Sequence, residues 1–171
     1  QSTGLPNSAR INRQDSIKNL EKQMAIKRLN VLMTDKHINY RTISVRLAQE
    51  QIGLALTNMT TDSDIVYLKF LFVNGSKLDY VIDFAEFIYR DPVSNKDLKG
   101  AYDKKNVYMI TQSDINQIDA KKEQFIGYAI PRYALSKRGE LQFILREKTG
   151  SRVIELLIPF SEILTARSIN Q

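Results

Sequence analysis

Residues 70 to 90 read FLFVNGSKLDYVIDFAEFIYR, two runs of alternating apolar residues on either side of an Asn74-Gly75-Ser76 turn. A period of two is typical of β-strands, because successive side chains point to opposite faces of a sheet. Asparagine and glycine between two such runs favour a turn, so the stretch predicts a β-hairpin. The alternating apolar positions of the two strands are Val66, Leu68, Phe70 and Phe72 before the turn and Leu78, Tyr80, Ile82 and Phe84 after it.

The period of two recurs in the rest of the chain. Eight or nine short strands are expected, including 43–47, 52–56, 106–111 and 124–130, and a last hairpin joins 141–147 to 152–158. Many short alternating strands predict an all-β fold, and we expect an immunoglobulin-like antiparallel β-sandwich over residues 39–171.

Polar residues, prolines and glycines between the alternating runs predict where the strands end. Polar loops are expected at 58–64 and 91–105, and a loop or short helical turn at 113–123. Pro131 is expected to end its strand or lie on a sheet edge, and Pro159 to end the last strand. Gly150 is expected to take a positive φ in the last turn, and Ser161 to cap a short helix.

Residues 12–36 have a helical period instead. Ile17, Leu20, Met24 and Val31 lie along one stripe, and Ala25, Leu29 and Leu32 lie beside it. We predict a basic amphipathic helix here, with Asn12 or Asp15 as its N-cap, behind a flexible lead at 1–11. The apolar stripe could cover its own sandwich, a further N-terminal domain or a partner protein. Leu20, Met24 and Val31 are its candidate partner-binding residues, and Lys18, Lys22 and Arg28 form a candidate basic face.

The net charge of +6 is concentrated at the start of the chain. Residues 1–48 contain nine Lys or Arg and three Asp or Glu, which accounts for all six charges. This imbalance favours contact with an acidic partner, a lipid head group or DNA, although a solvated helix face would have the same pattern. Any DNA contact from these residues would be non-specific and salt-sensitive.

Motifs for catalysis, cofactors and metals are missing from the sequence. There is no cysteine, and His37 is the only histidine, which we expect in a surface loop. There is no nucleophile elbow and no glycine-rich phosphate loop. Asp79 and Asp83 on one extended strand would stand ~13 Å apart, too far for a glycosidase pair. We therefore predict a non-enzymatic protein without cofactor or metal, and, for want of a long apolar run, without a transmembrane segment.

Several of these stretches also resemble one known family. Asn74 and Ser76, the strand with Tyr80, Asp83 and Phe84, and the exit IYRDP at 88–92 recur in order with Glu147, Gly150 and Arg152. This arrangement resembles the C-terminal half of TraN-type proteins of Bacteroidetes conjugative transposons, from about residue 39 to the end. The chain differs from that family at Thr149, where a second glycine is usual. The family's usual N-terminal β domain is not among these 171 residues, as expected either for a fragment or for a shorter relative.

The resemblance implies a structural role. Proteins of that family are thought to be secreted, non-enzymatic subunits of a conjugation apparatus, similar to the outer-membrane core of type IV secretion systems. The implied location is the periplasm, in association with the outer membrane, as an oligomer within a larger assembly. The implied partners are other envelope proteins of the apparatus, among them a lipoprotein-like segment docked on a sheet edge. Residues 1–4 suit either a mature N terminus after signal cleavage or the boundary of an expressed fragment.

A second class of function fits the same features. An adhesive β-sandwich module that binds glycan or a host protein would also lack catalytic motifs. Glycan sites usually present exposed aromatic side chains, and the chain has no tryptophan but eight tyrosines. The sequence leaves this alternative open.

Overall fold

A computed structural model describes residues 7–38, 43–94 and 100–168, with the side chains of the first helix from Arg13 onward. The helices are α1 (Asn7–Thr34) and α2 (Phe160–Leu164). The strands are β1 (Ser44–Leu47), β2 (Ile52–Asp62), β3 (Ile65–Asn74), β4 (Tyr80–Pro92), β5 (Tyr102–Val107), β6 (Thr111–Gln112), β7 (Gln117–Ile118), β8 (Lys122–Pro131), β9 (Glu140–Glu147), β10 (Val153–Pro159) and β11 (Arg167–Ser168).

The strands form two sheets. The first has the order β1-β2-β3-β8-β6, with β11 beside β2, and the second has the order β10-β9-β4-β5, with β7 beside β4. All pairs are antiparallel except that of the two-residue β11 with β2. The predicted fold class, an all-β sandwich of antiparallel sheets preceded by an N-terminal helix, is confirmed.

Aromatic side chains from both sheets fill the space between them. Phe70 of β3 stacks on Phe143 of β9 with ring centroids 4.5 Å apart, and Phe143 stacks on Phe87 of β4 at 4.6 Å. All three side chains are fully buried. Each such burial stabilises the fold by about 1.5–3 kcal/mol, so this stack is a main source of sheet-to-sheet cohesion.

The predicted hairpin at 70–90 is wrong in its pairing. Both strands exist, but β3 pairs with β2 and β8 in the first sheet, whereas β4 pairs with β5, β7 and β9 in the second. The connection at 75–79 therefore crosses from one sheet to the other. Alternation specifies a strand with one buried face, and it does not specify which strand is the neighbour.

A β-bulge changes the alternation within β4. Ile82 pairs with Glu147 and Phe84 with Arg146, which leaves Asp83 as the extra residue. Beyond the bulge, Phe87 and Tyr89 face the core, whereas Phe84 is 39% exposed. Leu78 precedes the strand and is 70% exposed, so the predicted core positions hold only as far as Ile82.

Several predicted boundaries also need correction. Of the predicted flexible lead at 1–11, residues 1–6 lie outside the described residues and 7–11 belong to helix α1, which begins at Asn7. Asn12 and Asp15 lie inside the helix and do not cap its start. Strand β2 continues to Asp62, which reduces the predicted loop at 58–64 to two residues. Of the predicted loop at 91–105, Pro92 still belongs to β4 and Tyr102 already to β5, while 95–99 lie outside the described residues.

The C-terminal predictions are mostly confirmed. The last hairpin is β9 and β10, and β8 and β10 end at Pro131 and Pro159. β8 has neighbours on both sides and is not an edge strand. The stretch 113–123 contains the short strand β7 and no helix. Ser161 lies inside α2, whose N-cap is Pro159. Within the described residues, neither helix combines the length and hydrophobicity that a membrane span requires.

Candidate functional site

The C-terminal half of α1 packs on the outer face of the first sheet. Ala25, Leu29 and Leu32 are buried against Tyr67 of β3 and Ala129 of β8. Gly127 of β8 permits the close approach, because a Cβ there would clash with the Met33 sulfur and lie 3.1 Å from Leu29 Cδ1. This face of the helix is therefore occupied by the protein's own sandwich.

The predicted partner-binding stripe lies on another face of the same helix and is solvent-exposed. The exposed fractions are 50% for Ile17, 63% for Leu20, 46% for Met24 and 70% for Val31. Every side chain from Arg13 to Met24 is exposed as well. We call this stretch, 13–24, the helix arm. It presents about three turns of helix whose apolar residues have no cover in the described part of the chain.

The predicted basic face divides into two parts. Lys18 and Lys22 are exposed on the helix arm. Arg28 instead forms an ion pair with Asp62 at the end of β2, where the Asp62 side chain is only 10% exposed. Arg28 therefore helps to fix the helix on the sheet and is not a free surface cation.

Six of the residues that carry the family resemblance meet at one end of the sandwich, where the 75–79 crossover lies beside the β9–β10 turn. Arg152 Nε donates to Glu147 Oε2 at 2.9 Å, and its terminal nitrogens donate to Ser76 Oγ at 2.9 Å and to the Asp79 carbonyl at 2.8 Å. A second Arg152–Glu147 contact makes the pair bidentate. We call this group, with Asn74, Tyr80 and Gly150, the turn network.

Asn74 and Tyr80 complete the turn network from the buried side. Asn74 is fully buried and donates from Nδ2 to the carbonyls of Leu78 at 2.8 Å and Ile118 at 3.0 Å. Its Oδ1 accepts from the Ser76 hydroxyl at 2.7 Å. The Tyr80 hydroxyl donates toward the carbonyls of Leu145 at 3.0 Å and Arg152 at 3.2 Å. The network thus ties the first sheet to the second.

The predicted positive φ at Gly150 is wrong, and the structure gives another reason for glycine at this position. Among the described residues, the only glycine with a positive φ is Gly100. At Gly150 a Cβ would instead clash with the Glu147 carboxylate. Space for the ion pair, and not backbone conformation, therefore requires glycine at this turn.

The charges of the turn network stabilise one another. Hydrogen bonds from Arg152 lower the pKa of Glu147 despite its burial, and the same bonds raise the pKa of Arg152. Burial raises the pKa of Tyr80, and the Glu147 charge raises it further. All three groups keep one protonation state near neutral pH, which suits a structural element and not a general acid or base.

Other predicted residues lie outside both sites. Asp83 is exposed at the bulge of β4 and makes no contact with Arg152, and His37 is an exposed loop residue, as predicted. Lys69 of β3 is buried, donates to the Asp35 carbonyl at 2.8 Å and lies over the Phe125 ring. Within the described ranges, no cluster of three or more acidic or histidine side chains could hold a metal ion.

Among the described strands, β1 and β6 end the first sheet and β5 and β10 end the second, while the two-residue strands β11 and β7 also have a single neighbour each. β5 carries exposed Asp103, Lys104 and Lys105, charges that discourage strand pairing. β10 alternates regularly between buried and outward side chains and presents Leu157 at 44% exposure. Of these two edges, β10 is therefore better suited to a partner strand.

Comparison with known proteins places most of the chain in one family. The family model described as a domain of unknown function (DUF4138) matches residues 25–168, which include the packed half of α1, both sheets and the turn network. No curated protein matches the chain.

Proposed function

We propose that this chain, which belongs to the family of the domain of unknown function DUF4138, is a non-enzymatic structural subunit of a bacterial conjugative DNA-transfer complex. It would act through protein–protein contacts in a type IV secretion-like envelope assembly, in the periplasm and associated with the outer membrane. The biological setting rests on the resemblance of the turn-network sequence to TraN-type proteins. The mode of action rests on the surface of α1.

The exposed apolar stripe of α1 is the observation that carries the proposal. Helix α1 is already anchored through Ala25, Leu29 and Leu32, so the stripe with Leu20, Met24 and Val31 is not needed to hold it in place. Isolated helices of this length are marginal in water, and exposed apolar side chains on one are typical of a contact surface. A second protein covering the stripe would account for both features.

The charge of α1 favours a partner other than a second copy of the same helix. Helix α1 contains six Lys or Arg residues and two acidic residues, a net charge of +4. Two such helices side by side would repel each other, whereas an acidic helix or surface would be attracted. The stripe is therefore expected to bind a different, acidic component of the assembly.

A crosslinking pull-down tests the proposal in cells that carry the whole transfer operon. The tagged wild type is expected to recover other envelope proteins of the apparatus. The triple variant L20S/M24S/V31S should lose them and keep its fold, because none of these side chains contributes to the buried core. The matched control N19S/Q23S/N30S changes three exposed residues away from the stripe and should behave as wild type.

Two outcomes would contradict the proposal. Recovery of the same partners by the stripe variant would show that the stripe is not the contact. Recovery of no envelope protein, together with binding on a glycan or host-protein array, would favour the adhesive module instead.

A further inference from the structure

A cleft opens where the helix arm leaves the sheet. Its volume is about 680 Å³, within the usual range for binding sites. One wall is the helix from Lys18 to Arg28, the other is the β2–β3 turn, and the β5–β6 connection with Tyr108 closes the end. Much of the lining is apolar, including Met24, Met109 and Ile110. The cleft has the size and lining to take a few side chains of a peptide.

One buried hydroxyl in this cleft has no acceptor for its proton. Tyr67 lines the cleft and is fully buried, and its hydroxyl makes no hydrogen bond of normal geometry with any described residue. A buried hydroxyl without a partner destabilises a fold by about 1–3 kcal/mol, and such groups are rare unless they serve a purpose. A ligand that bonds to Tyr67 would remove this penalty.

The neighbour of Tyr67 determines what that ligand must offer. Burial raises the pKa of Tyr67, and the charge of the Arg28 guanidinium, which donates toward the hydroxyl, partly offsets this rise. Arginine only donates hydrogen bonds, so it cannot accept the hydroxyl proton. Both groups thus present donors to the cleft. Two adjacent donors match the two oxygens of a carboxylate.

The charges at the cleft rim are mixed and do not decide the ligand. Lys18 and Lys22 are exposed on one side, with Glu21 between them and Asp64 across the cleft. Exposed charges contribute little to affinity because water screens them. Selectivity has to come from the buried Tyr67 hydroxyl and the half-buried Arg28 beside it, which Asp62 holds in place.

We propose that this cleft binds an extended segment of another protein through a carboxylate side chain flanked by apolar residues. The carboxylate accepts from the Tyr67 hydroxyl and from Arg28, and the flanking residues cover Met109 and Ile110. This site shares Met24 with the exposed stripe, and it does not depend on a role in conjugation.

A peptide selection tests the proposal on the full chain. A phage-displayed library of random peptides is selected against immobilised wild type, and the enriched peptide is synthesised and titrated by calorimetry. We expect an Asp or Glu between apolar positions. Replacing that carboxylate by its amide, or Tyr67 by phenylalanine, should weaken binding tenfold or more, as expected for a charged hydrogen bond. Y102F, on the opposite sheet, is the matched control and should bind as wild type.

The possible failures are distinct. Selection of no acidic consensus, or equal affinity for wild type and Y67F, overturns the proposal. A loss of fold cannot mimic the expected result, because Y67F removes a buried hydroxyl whose proton has no acceptor, and its melting temperature should equal or exceed that of wild type. The Y67F result is distinct from the cellular pull-down, because Tyr67 lies outside the stripe and the stripe variant leaves Tyr67 and Arg28 unchanged.

Discussion

Replacing Arg152 by alanine should destabilise the sandwich strongly, because it leaves a buried carboxylate without its partner. The Glu147 side chain is 6% exposed and the Arg152 side chain 12%. Removing one member of a buried ion pair costs about 3–5 kcal/mol, a large part of the roughly 5–15 kcal/mol that stabilises a typical domain. The variant also loses its hydrogen bonds to Ser76 and to the Asp79 carbonyl.

Urea unfolding followed by circular dichroism measures the effect. With a slope of roughly 1–3 kcal/mol per molar urea, the midpoint should fall by about 2 M. R146A is the matched control. Arg146 is the neighbouring residue on β9, exposed and stacked over Phe84, so its loss should cost no more than about 1 kcal/mol.

A double variant separates the ion pair from its surroundings. R152A/E147A also removes the carboxylate that R152A leaves without a partner. Its loss of unfolding free energy should therefore be smaller than the sum of the losses in the two single variants. Equal midpoints for R152A and R146A, or strict additivity in the double variant, would refute the conclusion that the turn network holds the two sheets together.

Two further predictions concern packing and pH. G127A should lower the free energy of unfolding by about 1–3 kcal/mol in the same urea assay, because the added Cβ meets Met33 and Leu29 under the helix. The control G53A, whose Cβ would have no neighbour closer than 3.6 Å, should be within about 1 kcal/mol of wild type. Equal effects of the two substitutions would contradict the packing of α1. Arg152 holds the folded-state pKa of Glu147 below its unfolded value of about 4.3, so the pair contributes fully above that pH and its contribution falls as the pH drops through the folded-state pKa. The gap in unfolding free energy between wild type and R152A should therefore narrow below about pH 4, and a gap that stays constant down to pH 2 would contradict the assigned pair.

The strands could be predicted from the sequence, but their pairing could not. The alternation around Phe70 and Phe72 predicts β3 and its core-facing side correctly. A strand needs only one face packed on the core to show this alternation. The same pattern could not show that β4 belongs to the other sheet, nor that a bulge at Asp83 reverses its faces. Both depend on contacts with β9, some 60 residues further along the chain.

For the candidate sites, too, the sequence predicts individual residues, and only the structure shows their contacts. Residues of the turn network were identified as a group from their resemblance to a family, while their mutual contacts needed the structure. On α1, two adjacent apolar stripes were visible, and only packing distinguishes the buried Leu29 from the exposed Leu20. The sequence pattern does not distinguish Tyr67 as a site residue, because a residue between Val66 and Leu68 simply lies on the opposite face of the strand. Nothing in the sequence indicates that its hydroxyl lacks a partner.

The turn network also bears on how quickly the folded protein is lost. Arg152 reaches Ser76 and Asp79 across 76 and 73 residues of chain, so we expect its bonds to form late in folding, once the crossover and the β9–β10 turn have come together. Interactions that are absent from the folding transition state slow unfolding and leave the folding rate nearly unchanged. We therefore expect the turn network to lower the unfolding rate of the sandwich and so to lengthen the lifetime of its folded state.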